Sequence, residues 1–518
     1  MNYRTIVNVL QIIFFLLSLT TYLVVGSSAQ DVPPAQEGYG FVGDGKTMNT
    51  NVLQRAIDEC SQKGGGTVSL PAGNYLSGTI VLKKGVTLHL EKDAVLLGSR
   101  DIADYPGEGR RKSLIFAESA DDISITGDGE INGSSQRWEG GDSTTNRPLL
   151  INLFSCKNVK VNGVTMKNAG FWTFRFVRCD GVDIRKVTVE SHVNWNNDGF
   201  DIESRNVYIS DCTFDADDDA ICFKSEYRDF VVENIVVENC KVSSNCNFIK
   251  FGTASAGGFR NITVKNCTLY KCSQTNLRFW DRRLPGVAGA SGITNPITGI
   301  AGIALEVVDG GFMENIHISN IRMEDVQTPI FIRLGKRGIS EKSWLKDILI
   351  EDITASSASF VASSITGVPG LRVENVEIRN SVFQLKGGGK ISDTSMDVPE
   401  VEARYPENRM FGVILPAYGF YLRHADNIRF DNIKLSYTGG SEERHVFVAD
   451  DVTNLEIKNS ILQPPSSNKS VIFLRSCKDI RLLENRLGIE PILEPIRYAD
   501  GVNTQDSEIE IKEYVPPK

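Results

Sequence analysis

The segment ENIVVENCKV, starting at Glu233, is followed 27 residues later by RNITVKNCTL, starting at Arg260. In both, an Asn opens a short apolar stretch and a second Asn closes it. Between them the apolar residues alternate, Ile235 and Val237 to one side, Val236 and Glu238 to the other, which is the period-two signature of a strand. The same phrase precedes the pair as KNVKVNGVTM from Lys157 and RNVYISDCTF from Arg205. It follows as ENIHISNIRM, KDILIEDITA, ENVEIRNSVF, DNIRFDNIKL, TNLEIKNSIL and KDIRLLENRL. The leading residues are Asn158, Asn206, Asn234, Asn261, Asn315, Asp347, Asn375, Asn427, Asn454 and Asp479, mostly 25–32 residues apart. Three steps (Asn158 to Asn206, Asn261 to Asn315, Asn375 to Asn427) are near-doubles and predict one less regular coil hidden in each.

Strands at this spacing with no long helical run between them cannot build βαβ units. Each coil must turn through loops and stack on the one before, which defines an all-β fold, a single parallel β-helix. The Asn at each corner reads as a stacked ladder of side-chain amides. A solenoid exposes its core at both ends and needs caps. Thr50–Cys60 predicts a helix with Leu53, Ala56, Ile57 and Cys60 on one face, stopped at Gly64-Gly65-Gly66, within an N-terminal cap of about 38–75. The stretch 487–518, with Pro491 and Pro495, is the expected C-terminal cap. Two segments, Leu284–Ile303 and Lys386–Tyr418, break the rhythm, as loops walling a binding groove do.

The chain has 518 residues, 56 Lys+Arg against 65 Asp+Glu, and a formal charge of −9. That balance argues against nucleic acid and anionic membranes as partners. Arg4, the apolar run Ile12 to Val25 and the small residues Ser27-Ser28-Ala29 read as a cleaved signal peptide over 1–29. The mature domain is then 30–518, secreted or periplasmic, with no membrane association after cleavage and a monomer as the expected state. Ten Cys in an exported chain allow disulfides. Cys246 and Cys272 have the spacing of neighbours on adjacent coils, yet free stacked thiols are expected.

Chemistry concentrates where two acidic coils meet. Asn197-Asp198-Gly199-Phe200-Asp201-Ile202-Glu203-Ser204 aligns with Asp218-Asp219-Ala220-Ile221-Cys222-Phe223-Lys224-Ser225, and then with Asn247, Ile249, Phe251 and Thr253. Asp198, Asp219 and Asn247 should therefore stack, with Asp218 alongside. Neighbouring strands lie ~4.8 Å apart, so several carboxyls crowd together and at least one should hold its proton at raised pH. That is what a glycosidase acid and base need. A calcium site or a solvated acidic turn uses the same residue types.

The pair Asn197-Asp198-Gly199-Phe200-Asp201 and Asp218-Asp219-Ala220-Ile221 resembles glycoside hydrolase family 28, the polygalacturonases. The opening Gly43-Asp44-Gly45-Lys46-Thr47, Gly64-Gly65-Gly66-Thr67-Val68 and Pro71-Ala72-Gly73-Asn74-Tyr75 is similar to the start of such pectin enzymes. The resemblance covers about Gly38 to Val326. It implies a right-handed parallel β-helix and inverting hydrolysis of galacturonosyl bonds without metal or organic cofactor. By motif it makes Asp218 the general acid and gives Asp198 and Asp219 the attacking water. The sequence departs from the family at two places. Cys246-Asn247-Phe248 stands where Gly-His-Gly is usual, and Arg278-Phe279-Trp280 where Arg-x-Lys is usual.

Asn247, Lys250, Arg278 and Trp280 are accordingly the expected substrate contacts, and the substrate is expected to be an acidic, pectin-like polysaccharide or oligosaccharide other than plain homogalacturonan. Exo action fits a groove walled by Leu284–Ile303. Trp172, Trp195 and Tyr227 are candidate sugar platforms and His192 a candidate site residue. A β-helix polysaccharide lyase and a non-catalytic glycan-binding β-helix are the alternatives.

Overall fold

The computed structural model describes residues 39–135, 147–270, 272–273, 299–338, 342–466, 470–487, 496–498 and 508–512. The segment 1–29 lies outside them, and no described helix is long and apolar enough to cross a membrane.

The strands pair in parallel, each with its counterpart one coil before and one coil after, and together they form a right-handed parallel β-helix. One inward column shows the construction. Val159, Val182, Val207, Ile235, Ile262, Ile316, Ile348, Val376, Ile428, Leu455 and Ile480 stand successively over one another. All are buried in one continuous apolar core. Each fully buried side chain of this kind contributes about 1.5–3 kcal/mol.

Asn leads each phrase for a backbone reason. The ten leading residues have φ between +53° and +58°, the left-handed region that Asn and Asp tolerate better than other side chains. From that corner each amide reaches its neighbour: Asn234 Nδ2 donates to Asn206 Oδ1 at 3.1 Å, Asn261 to Asn234 at 3.1 Å and Asn315 to Asn261 at 2.7 Å.

The near-doubles divide. Between Asn158 and Asn206 a coil is indeed hidden, its corner held by Gly181 at φ +77°. The other two conceal no coil. Asn261 and Asn315 bond directly, as do Asn375 and Asn427 at 3.0 Å, so the extra residues are insertions between adjacent coils. Chain length alone cannot separate a coil from an excursion.

The helix Thr50–Gln62 buries Leu53, Ala56, Ile57 and Cys60 over the first coils. At the other end, Ile496–Tyr498 and Glu508–Lys512 pair as one more coil, and the rest of 488–518 lies outside the described residues. All ten Cys are buried and free.

The second insertion is folded back rather than left loose. Val398, Met410, Phe411 and Leu415 form a small apolar cluster with Ala301, Ala304, Phe331 and Tyr421 on the outer face of the solenoid. Arg333 Nη2 donates to the carbonyl of Glu400 at 2.9 Å, Lys336 N donates to that of Glu402 at 2.7 Å, and Asn408 Nδ2 donates to Ile300 O at 3.1 Å.

Candidate active site

Strand alternation sets the site. Phe200, Ile221 and Ile249 stack inward, as do Ile202, Phe223 and Phe251, so Asp201, Cys222 and Lys250 stack outward between them. Two residues before each inward Phe200, Ile221 and Ile249 stand Asp198, Asp219 and Asn247, in the column the sequence alignment expects. The third expected column fails: Ser225 pairs with Ser255, not Thr253. Gly252, at φ +107°, makes an irregularity there that adds two residues to the strand.

Asp198, Asp218 and Asp219 line one cavity of about 530 Å³ together with Trp172, Lys224 and Lys250. All three carboxylates are buried to within a few per cent. Their surroundings differ. Asp219 Oδ2 is 3.0 Å from Lys250 Nζ, and its Oδ1 accepts Asn247 Nδ2 at 2.7 Å. Burial would push this carboxyl up, but Lys250 and then Lys224 outweigh burial and hold it below the usual carboxylate range. Asp198 is 3.5 Å from Lys224 Nζ. Here burial, together with Asp201 and Asp218, wins and raises the carboxyl well above its ordinary value. Asp201, 3.1 Å from the same ammonium, is pushed up by burial to about 6. Asp218 accepts Asp219 N at 2.9 Å and Asn196 Nδ2 at 3.1 Å, with no ion-pair partner among the described residues.

Both lysines are thereby committed. Lys250, expected as a substrate contact, is a counter-ion: its side chain is 3% exposed, with Glu306 a further 4.0 Å neighbour of its ammonium. Asn247, expected to touch sugar, lies against Asp219 with its amide spent on that carboxylate. Arg278, Trp280 and the 284–298 part of the first insertion lie outside the described residues. Trp172 is no sugar platform. Phe171 stacks on it at 5.0 Å, and Arg110 and Lys224 sit over the ring at 4.4 and 4.8 Å. Trp195 offers its carbonyl to Arg147, and Tyr227 packs edge-on to Phe154. His192 Nε2 is 2.9 Å from Asp215, outside the cavity lining.

The sequence reading missed Lys224, Arg110, Glu226, Arg404, Tyr405 and Glu407, all of which line the cavity. Lys224 carried a signal, a lone cation in the strand Ile221-Cys222-Phe223-Lys224-Ser225 that follows the acidic run Asp217-Asp218-Asp219. Arg404, Tyr405 and Glu407 come from the second insertion, where periodicity gives no register.

The sequence model described as glycosyl hydrolases family 28 matches residues 60–278. A probable polygalacturonase of Vitis vinifera is 26% identical over 383 residues, 66% of this chain and 73% of that one. An exopolygalacturonase of Zea mays is 25% identical over 368 residues, 66% of this chain and 82% of that one. Among solved structures, a hyperthermoactive exopolygalacturonase from Thermotoga maritima superposes with a TM-score of 0.58 at 20% identity, over 80% of this chain and 95% of that one, which speaks to the fold. A β-helix with three carboxylates in one cleft, matched in this way, is a glycoside hydrolase. Residues 60–278 thus resemble glycosyl hydrolases family 28, and the relatives at 25–26% identity are of polygalacturonase type.

Proposed function

We propose that the protein is an exported inverting hydrolase of glycosidic bonds in a uronic-acid-containing, pectin-like chain, acting as a monomer from a chain end. Support comes first from the contrast among the three carboxyls. Asp219, kept ionised by Lys250, is the base that takes a proton from the attacking water. Asp198, across the adjacent coil, accepts and orients that water. Asp218 takes the acid role by its place in the Asp218-Asp219 motif, and with no ion-pair partner among the described residues it is free to face the leaving oxygen. Three groups in one cavity then divide acid and base work by their environments.

The polygalacturonase and exopolygalacturonase names of the relatives support galacturonosyl bonds as the target. The lyase alternative places calcium on the same Asp cluster. Lys224 and Lys250 already stand 3.0–3.5 Å from Asp198, Asp201 and Asp219, so a cation there would have to displace two ammonium groups.

The test is proton NMR of short oligogalacturonides during turnover. A reducing end released first in the β configuration supports inverting hydrolysis of α-linkages. An α product, or an unsaturated product absorbing in the ultraviolet, would overturn it.

A further inference from the structure

We infer that Arg404 and Tyr405 recognise the acidic sugar, Arg404 through its carboxylate and Tyr405 through its ring face. The inference rests on the hydrolase reading above and asks which groups select its substrate.

The argument begins with the cations of the cavity. Four line it: Arg110, Lys224, Lys250 and Arg404. Three are engaged. Arg110 pairs with Glu226, Lys224 with Asp198 and Asp201, and Lys250 with Asp219. Arg404 is exposed, and its guanidinium makes no ion pair or hydrogen bond among the described residues. An unpaired Arg facing a cleft lined by carboxylates has a use if an anionic ligand enters, because its planar fork matches a carboxylate in two hydrogen bonds.

Tyr405, beside it, supplies the complementary surface. Its hydroxyl is anchored, 3.4 Å from Lys250 Nζ, while 49% of the residue stays exposed. Trp172, the other aromatic in the lining, has its ring covered by Arg110 and Lys224. The cations nearest the Tyr405 ring, Lys250 and Arg337, stand farther off, at 5.6 and 5.9 Å from its centroid. Tyr405 is therefore the aromatic of this cavity with ring surface left to lie against a sugar. An amphipathic ring with a fixed hydroxyl suits that task.

The wall that carries them is built. Arg333 and Lys336 hold the carbonyls of Glu400, Val401 and Glu402 just before the pair. Asn408 anchors the chain just after it, through Ile300 O and, at 2.8 Å, Thr328 Oγ1. Arg404 and Tyr405 are thus presented from a pinned turn, as a selective subsite requires.

The experiment compares kcat/KM on trigalacturonate and on its fully methyl-esterified form for wild type, R404A, R404K and Y405A. In R404A the acid-to-ester ratio should fall by about 10- to 150-fold, the range of a lost charged hydrogen bond. R404K should restore part of that ratio. Y405A should lower both rates alike, since a ring face does not read the carboxyl charge. An acid-to-ester ratio unchanged in R404A, while wild type still hydrolyses trigalacturonate, would overturn the inference and leave the hydrolase reading standing. A wild type that hydrolyses neither compound, together with an Asp218→Asn protein that fails to bind trigalacturonate by calorimetry, would overturn both.

Discussion

Lys250 Nζ lies 3.0 Å from Asp219 Oδ2, across one coil boundary, in a position that leaves the lysine side chain 3% exposed. A buried pair costs desolvation on both sides, and removing one partner strands the other. Lys250→Met should therefore destabilise the protein by about 3–5 kcal/mol in urea unfolding. It should also raise the Asp219 carboxyl, because the cation that outweighs burial is gone. The acid limb of the kcat/KM profile should move to higher pH. An unmoved limb would show that Asp219 is not the base.

Stability should depend on pH through carboxyls that have no cation strong enough to offset burial. Burial pushes Glu203 and Glu306 up to about 7, against the lowering effect of Tyr227 N–H on the first and Lys250 on the second, and it pushes Asp201 up to about 6. A carboxyl raised by folding binds its proton more tightly in the native state. Its stabilisation is complete below the unfolded value near about 4 and is lost as pH rises through 6–7. Asp215 works the other way: burial opposes it, but His192 holds it at about 2, so its stabilisation is lost only as pH falls toward that value. The melting temperature should fall from pH 5 to pH 8. Glu203→Gln, whose amide oxygen can still accept Glu226 N and Tyr227 N, should flatten that fall. A wild-type curve already flat across this window would sink the argument.

The corner ladder predicts a position-specific cost. Asn261 donates to Asn234, accepts from Asn315 and sits at φ +55°. Asn261→Ala removes both bonds and places a Cβ-bearing residue without local hydrogen bonding in the left-handed region. Together these should cost about 1–3 kcal/mol in urea unfolding. Asn261→Gly restores the backbone freedom and should recover part of the loss. Equal losses in the two variants would assign the whole effect to the amide bonds.

How much of this was legible in sequence follows from where periodicity reaches. Ile235, Ile262 and Ile316 repeat because each must fill the same core position, so the fold could be read from their spacing. Asp198 and Asp219 inherit that register and could be aligned without coordinates. Lys250 also lay in register, but its direction did not: a cation one coil from the acids fits substrate binding and charge balance equally until its distance to Asp219 is known. Thr253 was misplaced because Gly252 shifts the strand. Tyr405 is 155 residues from Lys250 in the chain, in an insertion with no repeat to anchor it, and only that insertion's packing against Phe331 and Tyr421 brings it back.

The division of labour between Asp218 and Asp219 can be separated by the leaving group. Protonation of the departing oxygen matters greatly when that oxygen belongs to a sugar and little when it belongs to an acidic phenol. Asp218→Asn should lower kcat on an oligogalacturonide by about 10²–10⁴-fold, the usual worth of a positioned general acid. On a nitrophenyl galacturonide the same variant should keep most of its rate, because the phenolate departs without a proton. Asp219→Asn removes the base, and water must be activated whichever group leaves, so its loss should be comparable on the two substrates. The amide at 219 would also face Lys250 without a charge to balance it, so this variant should unfold at lower urea than Asp218→Asn. If Asp219→Asn were the variant rescued by the nitrophenyl leaving group, the acid and base would have to be exchanged.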